Sequence, residues 1–159
     1  HHLVLTDDEL HDFDSNAKAT PPLRTKADAK ALIKGVKSGV IDMITSDHNP
    51  IDIEHKKVEF SQAKNGTIGL ESVFGAINSV LNLEDFIASI TTNPRNRFGI
   101  KNPGIKERTS ADITLFNPEY SYIFGTENIL STSKNSIFIN KKLNGKVYGI
   151  FSNNQLILK

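Results

Sequence analysis

The sequence contains no cysteine. The chain can therefore form no disulfide bond and no thiolate metal site, and any protein ligand to a metal would have to be His, Asp or Glu. The absence of cysteine fits a reducing compartment. No signal-peptide pattern stands at the N-terminus. From these two absences we expect a cytoplasmic protein.

Long apolar runs and an excess of one charge are also missing. No apolar stretch is long enough to span a bilayer. The 159 residues include 19 Lys and Arg against 18 Asp and Glu, a formal charge of +1, and the basic residues are scattered along the chain. This balance gives no electrostatic reason to bind nucleic acid or an anionic membrane, so we expect neither as a partner.

The first part of the chain has an α/β pattern. Residues 25–39 predict a helix, with Thr25 as N-cap, Asp28 completing a capping box and Gly39 just past the end. The short, mostly apolar stretch at about 40–46 predicts a strand buried on both faces. A helix that leads through one glycine into such a strand is typical of a parallel sheet built from βαβ units.

A long polar loop at 48–68 follows this predicted strand. Amphipathic helices are then predicted at 70–81 and about 83–91, and Asn93-Pro94 predicts a short third helix with proline at its first position.

The sequence changes character after Gly99. Segments rich in β-branched and aromatic residues follow, separated by Asn-Gly and Asn-Asn pairs, and predict antiparallel strands of a small sandwich or barrel. We therefore expect two pieces, residues 1–100 and 101–159.

Asp47 and His48 follow the predicted strand 40–46 directly. Active sites of parallel α/β folds lie at the carboxyl ends of their strands. A carboxylate there can ligate a metal and accept a proton from a metal-bound water, and an imidazole can ligate or orient. The spacing alone fits equally a helix N-cap or a pair of hydrogen-bonding loop residues.

The order of several short motifs resembles the C-terminal part of dihydroorotases, which are amidohydrolase-superfamily enzymes of pyrimidine synthesis. The motifs are HHLVLT at the start, PPLR at 21–24, SDHNP at 46–50, K-x-x-F at 57–60, GTIGLE at 66–71, TTNPRNRFGI at 91–100 and SADITLFNP at 110–118. Their order and spacing cover essentially the whole chain and are far more specific than any one motif.

This resemblance implies a metal-dependent (β/α)8 barrel followed by a β-sandwich, with residues 40–47 as the eighth barrel strand. It implies the reversible ring opening of dihydroorotate to carbamoyl aspartate, with one or two zinc ions as cofactor. Asp47 matches the family aspartate that ligates zinc and acts as general base. A homodimer and a carbamoyltransferase partner are further expectations.

The resemblance also assigns roles to residues around Asp47. Thr20, before PPLR, holds a position that contacts the substrate in the family, and the family uses backbone groups of the loop at Gly66 and Thr67 against the pyrimidine ring. His2 matches a family histidine that is not a metal ligand, and we expect it to contact and orient site residues.

Three of these assignments have a simpler structural alternative. Gly66 is otherwise the left-handed residue of an Asn-Gly turn. Arg24 and His48 are expected beside the site, with a structural ion pair as the alternative for Arg24 and a loop hydrogen bond for His48.

The chain departs from the family pattern in three ways. A (β/α)8 barrel needs about 250 residues, and the His-x-His pair, the bridging carboxylate and the two later histidine ligands of the family are absent. We therefore expect a C-terminal part whose other zinc ligands lie upstream. Thr20 replaces an asparagine, and Ile51 replaces a histidine that contacts the substrate carboxylate. Loss of one charge-assisted bond costs about 1.5–3 kcal/mol.

These departures leave other functions open. One is a related cyclic ureide hydrolase, such as an allantoinase or hydantoinase, since those relatives often carry a small residue before PPLR and lack the last histidine. Another is a catalytically impaired homologue kept as a binding scaffold, and the simplest is a small α+β binding module. The K-x-x-F and GTIGLE motifs are more typical of dihydroorotases, which makes dihydroorotase the leading prediction.

Overall fold

The computed structural model describes residues 1–102 and 104–158. Its helices are α1 (Lys26–Lys37), α2 (Ile53–Lys56), α3 (Val73–Ile77), α4 (Leu83–Ile90) and α5 (Thr92–Phe98). Its strands are β1 (Ile113–Ile123), β2 (Lys142–Ser152) and β3 (Gln155–Leu158), in one antiparallel sheet of order β1-β2-β3. No helix in the described part of the chain has the length and apolar character to cross a membrane.

Helix α1 confirms the predicted helix and its ends. The Asp28 backbone N–H donates to Thr25 Oγ1 over 3.3 Å, and the Thr25 N–H donates to the Asp28 carboxylate over 3.1 Å, so the capping box is complete. Gly39 follows the last turn with a left-handed φ of +75°, which glycine adopts without a steric cost. Val36 on the inner face is buried against the core.

Residues 40–46 do not form the predicted strand in this structure. Residues 42–47 have no regular secondary structure, and the pairing next to them is one isolated parallel bridge between His48 and Thr67. The Ile44 N–H instead donates to the Ser89 carbonyl over 3.2 Å. A parallel strand exists only where neighbouring strands satisfy its backbone groups, and residues 1–102 and 104–158 place no strand beside this segment.

Two of the predicted helices differ in detail. The helix predicted at 70–81 is confined to α3. Just past its end, the Asn78 side chain donates to the carbonyls of Pro118 and Asn144 in the sheet. Helices α4 and α5 occur near their predicted positions, but Pro94 is the third residue of α5 rather than the first.

The predicted β-structure is realised as one sheet, and a second sheet that would make a sandwich is not found among the described strands. Asn153 and Asn154 form the predicted turn, with φ of +51° and +60°. The Asn144-Gly145 pair, predicted as a turn, lies within β2. The segment NSIFIN at 135–140, which the β-rich pattern includes, forms no strand, and residues 137–140 make a turn.

The main hydrophobic core joins both ends of the chain. Ile68, Ala76 and Leu143 are each at most 2% exposed and belong to one buried cluster that also contains Leu5 and Phe138. Ile68 belongs to this core, so burial of its apolar side chain helps to hold the loop 66–69 in place. The division of the chain at residue 100 stays a prediction.

Lys56 at the end of α2 gives a testable pH dependence. Its side chain is 3% exposed and donates to the Ser15 carbonyl over 2.7 Å. Burial lowers its pKa from 10.5 to about 8, with the Asp14 carboxylate opposing the shift. Between these two values the unfolded chain holds a proton that the folded chain lacks, so stability rises with pH across this window.

We therefore expect the free energy of unfolding, relative to that of a Lys56→Met variant, to rise between pH 8 and pH 10.5. Denaturant titrations of both proteins across this range give the difference, and the variant cancels the titration of every other group. A difference that stays constant across the window would show that Lys56 keeps its ordinary pKa.

Candidate active site

Asp47 stands at the end of the irregular segment 42–47 in a strained backbone conformation. Its φ is +46°, in the left-handed region that few residues other than glycine adopt and that Asp and Asn tolerate best. Its side chain is 56% exposed. Non-glycine residues held in such conformations cluster at active sites, where the surrounding fold supports the strain. The geometry thus presents the carboxylate to an open space instead of burying it.

The group nearest the Asp47 carboxylate is His1, which sequence reasoning missed. His1 Nε2 lies 3.8 Å from Asp47 Oδ2, and the His1 side chain is only 2% exposed. His2 Nε2 lies 3.1 Å from His1 Nε2, so the predicted residue His2 lies one step further from Asp47. Because His1 and His2 are adjacent, no periodic pattern in the sequence shows which of the two rings lies near Asp47.

A cleft of about 340 Å³ brings three of the predicted residues together. Asp47, His2 and Thr20 all line it. Its remaining walls are mostly apolar and come from α1 and from residues 41–44: Leu32, Val36, Ile41, Met43 and Ile44. Burial lowers the pKa of His2, and the Asp47 carboxylate opposes that shift. A mostly apolar cleft with a few convergent polar groups is the common form of a small-molecule site.

His48 connects the Asp47 loop to the loop that begins at Gly66. Its Nδ1 accepts hydrogen bonds from the backbone N–H groups of Gly69 and Leu70, both over 3.2 Å. Because Nδ1 is the acceptor, a neutral imidazole carries its proton on Nε2. His48 therefore fixes the two loops against each other.

Gly66 and Thr67 direct most of their polar groups into the protein. The Gly66 N–H donates to the Lys18 carbonyl over 2.8 Å, and Thr67 is 1% exposed. Gly66 has a φ of +138°, outside the left-handed helical region, so it is not the turn residue of the simpler alternative. A Cβ at Gly66 would lie 2.9 Å from the Asn49 side chain. A contact of this loop with substrate stays a prediction.

Arg24 lies outside the cleft. Its guanidinium is exposed, and Nε lies 3.9 Å from Asp28 Oδ2, four residues further along the chain. Exposed pairs of this kind contribute at most about 1 kcal/mol. Arg24 was predicted to lie beside the site, but it is not among the residues that line the cleft.

The side chains described here do not make a zinc site by themselves. A catalytic zinc ion takes three protein ligands and keeps an open position. Across residues 1–102 and 104–158, no three His, Asp or Glu side chains are grouped closely enough to hold a metal ion. Asp47 can offer one carboxylate oxygen, and the rest of a ligand set would have to come from elsewhere.

Comparison with known proteins identifies relatives of this chain. The dihydroorotase of Caldicellulosiruptor saccharolyticus is 36% identical over 165 aligned residues, covering 100% of this chain and 38% of its own length. The chain is a homologue of dihydroorotases. The dihydroorotase of Endomicrobium trichonymphae is 40% identical over 152 residues, covering 91% of the chain and 36% of its own length. The chain therefore spans well under half the length of these curated relatives. No protein-family model matches it.

Solved structures of cyclic amidohydrolases share the fold of this dihydroorotase homologue. A D-hydantoinase superimposes with a TM-score of 0.84 at 23% identity, covering 100% of this chain and 38% of its own. A Saccharomyces cerevisiae dihydroorotase in complex with 5-fluoroorotic acid superimposes with a TM-score of 0.71 at 19% identity, covering 100% of this chain and 42% of its own. At these identities the likeness concerns the fold.

Proposed function

We propose that this chain is part of a zinc-dependent cyclic amidohydrolase that opens and closes the dihydroorotate ring in pyrimidine synthesis. The observation that carries the proposal is sequence similarity to dihydroorotases along the entire chain. The site supports it, because an exposed carboxylate at a strained position lines a cleft together with the predicted residues His2 and Thr20.

The proposal includes the place of these residues in a longer protein. Residues 1–100 would form the last part of a (β/α)8 barrel, in which residues 40–46 gain neighbouring strands, and residues 101–159 would form part of a β-sandwich. The zinc ligands other than Asp47 would lie in the remainder. Coverage of only 38% of a curated relative supports this arrangement.

Asp47 is the proposed general base and acid. As a carboxylate it accepts the proton of the water whose oxygen attacks the ring amide carbonyl carbon. The new C–O bond forms, the ring C–N bond breaks, and the carboxyl group of Asp47 returns the proton to the leaving nitrogen. The product is carbamoyl aspartate, and the reverse sequence closes the ring.

The residues at positions 20 and 51 favour a second candidate function. Ile51 cannot donate a hydrogen bond or carry charge, and its backbone N–H is occupied by Asn135 Oδ1 at 3.1 Å. Position 51 therefore offers neither its side chain nor its N–H group to a substrate carboxylate. With Thr20 in the cleft, this favours as the alternative a ureide hydrolase that acts on uncharged rings such as hydantoin or allantoin.

The test is a substrate panel on the whole protein supplied with zinc. Ring opening of dihydroorotate, hydantoin and allantoin is followed separately, and the proposal predicts the highest kcat/KM with dihydroorotate. Activity confined to hydantoin or allantoin would move the assignment to the ureide hydrolases. No turnover of any ring would favour the scaffold alternative. The homodimer, the carbamoyltransferase partner and the cytoplasmic location stay predictions.

A further inference from the structure

Asn135, which lies between β1 and β2, contacts both loops of the candidate site although it is distant from them in sequence. It is 5% exposed. Its Nδ2 donates to the carbonyls of Asn49 and Gly66, over 3.1 and 3.2 Å, and its Oδ1 accepts from the Ile51 N–H over 3.1 Å. Both N–H groups and the carbonyl oxygen of the Asn135 side-chain amide thus form hydrogen bonds with the two loops.

The backbone around Asn135 extends the same network. The Asn135 carbonyl accepts from Thr67 Oγ1 over 3.2 Å and from the Ile68 N–H over 3.0 Å. Thr67 Oγ1 accepts in turn from the Ile137 N–H over 3.0 Å, and the Thr67 carbonyl accepts from the Asn49 N–H over 2.9 Å. The bonds to Gly66 and Thr67 are buried, and those to Asn49 and Ile51 are part-buried. Water therefore replaces the buried bonds poorly if Asn135 is lost.

Asp47, by contrast, has no hydrogen bond to its own carboxylate among the described residues, and its nearest partner is His1 at 3.8 Å. The direction of the carboxylate is therefore set by the strained backbone at φ +46°. That strain persists only while the residues that follow are held firmly. From this we infer that Asn135 is a positioning residue for Asp47, acting through the loop 48–51; this role rests on the proposed function.

The test compares two asparagines whose side chains donate to main-chain carbonyls, in the whole zinc-loaded protein. Asn135→Leu removes the bonds to the site loops. Asn78→Leu is the matched control, because Asn78 donates to the carbonyls of Pro118 and Asn144, both over 2.8 Å, in the sheet and away from the cleft. Circular dichroism confirms folding at the assay temperature. Asn135→Ser, a smaller change that leaves space for water, serves if the leucine variant does not fold.

We expect the Asn135 variant to lose kcat on dihydroorotate by roughly ten- to hundred-fold, as a displaced catalytic group does, with little change in KM. Hydrogen exchange at the Ile51 amide should accelerate by about five-fold or more. The Asn78 variant should lose comparable stability yet keep both quantities near those of the unaltered protein. Unchanged kcat in the Asn135 variant, or an equal loss in both variants, would overturn the positioning role.

The exchange measurement separates this inference from the proposed function. If the unaltered protein opens no cyclic amide, the proposed function fails, and exchange at Ile51 still decides whether Asn135 holds the loop. Faster exchange at the Ile51 amide in the Asn135 variant, and not in the Asn78 variant, would support the inference that Asn135 holds the loop 48–51. Exchange at Ile51 that is unaffected by the Asn135 substitution would overturn it whatever the activity.

Discussion

Asp47→Asn is expected to lower kcat for dihydroorotate by roughly 10²–10⁴-fold, the usual contribution of a general acid or base. Asparagine is nearly isosteric with aspartate and tolerates the left-handed conformation at φ +46° equally well. The substitution therefore removes the proton acceptor and keeps the backbone. Steady-state kinetics with dihydroorotate, in the whole protein with zinc, measure the loss, and thermal unfolding should be nearly unchanged.

Asp52→Asn is the matched control for this result. Asp52 is an exposed carboxylate in the same loop, and its side chain makes no capping bond to α2. We expect its loss to change kcat by less than about two-fold, as for most surface substitutions. Equal effects of the two substitutions would show that the loop responds to any loss of negative charge. An active Asp47→Asn protein would remove Asp47 from catalysis.

Gly69→Ala is expected to disturb both stability and activity. A Cβ at Gly69 would overlap the backbone carbonyl oxygen of Ser46, the residue before Asp47. The Gly69 N–H also donates to His48 Nδ1. Because a backbone carbonyl cannot rotate away as a side chain can, the segment 46–48 must move. Overpacking of this kind costs about 1–3 kcal/mol, and a carboxylate displaced by about 1 Å loses roughly a hundred-fold in rate.

Gly35→Ala adds the same methyl group where the neighbour can yield. A Cβ at Gly35 would lie 2.9 Å from Ile41 Cδ1, the end of a flexible side chain. Alanine also favours the interior of α1 by about 0.5–1 kcal/mol over glycine. Denaturant titrations should therefore show a small change for Gly35→Ala and a large loss for Gly69→Ala. If Gly69→Ala keeps full stability and kcat, the close packing of Gly69 on Ser46 does not position the site.

The sequence was sufficient to predict those elements that are stabilised by contacts between residues close together in the chain. The capping box at Thr25 and Asp28 and the turn at Asn153 and Asn154 depend on residues a few positions apart, and the structure confirms both. The strand at about 40–46 failed for the opposite reason. Its apolar pattern is that of a buried parallel strand, but the pattern does not supply the neighbouring strands whose backbone groups a ladder requires.

The candidate site shows the same limit. The position after residue 46 and the resemblance to dihydroorotases singled out Asp47, and the structure places it in one cleft with His2 and Thr20. His1 and Asn135 were missed because their roles come from long-range contacts, 46 and 86 positions apart for His1–Asp47 and Asn135–Asn49. Buried asparagines carry no periodic signal, so only the folded chain shows which carbonyls they reach.

The measurement that tests the central claim most directly is the formation of carbamoyl aspartate from dihydroorotate by the whole protein with zinc. We expect many turnovers per active site, and we expect the product to fall to the uncatalysed background when Asp47 is replaced by asparagine. No product above that background, from a folded and zinc-loaded protein, would contradict the assignment of this chain to a dihydroorotate-hydrolysing enzyme.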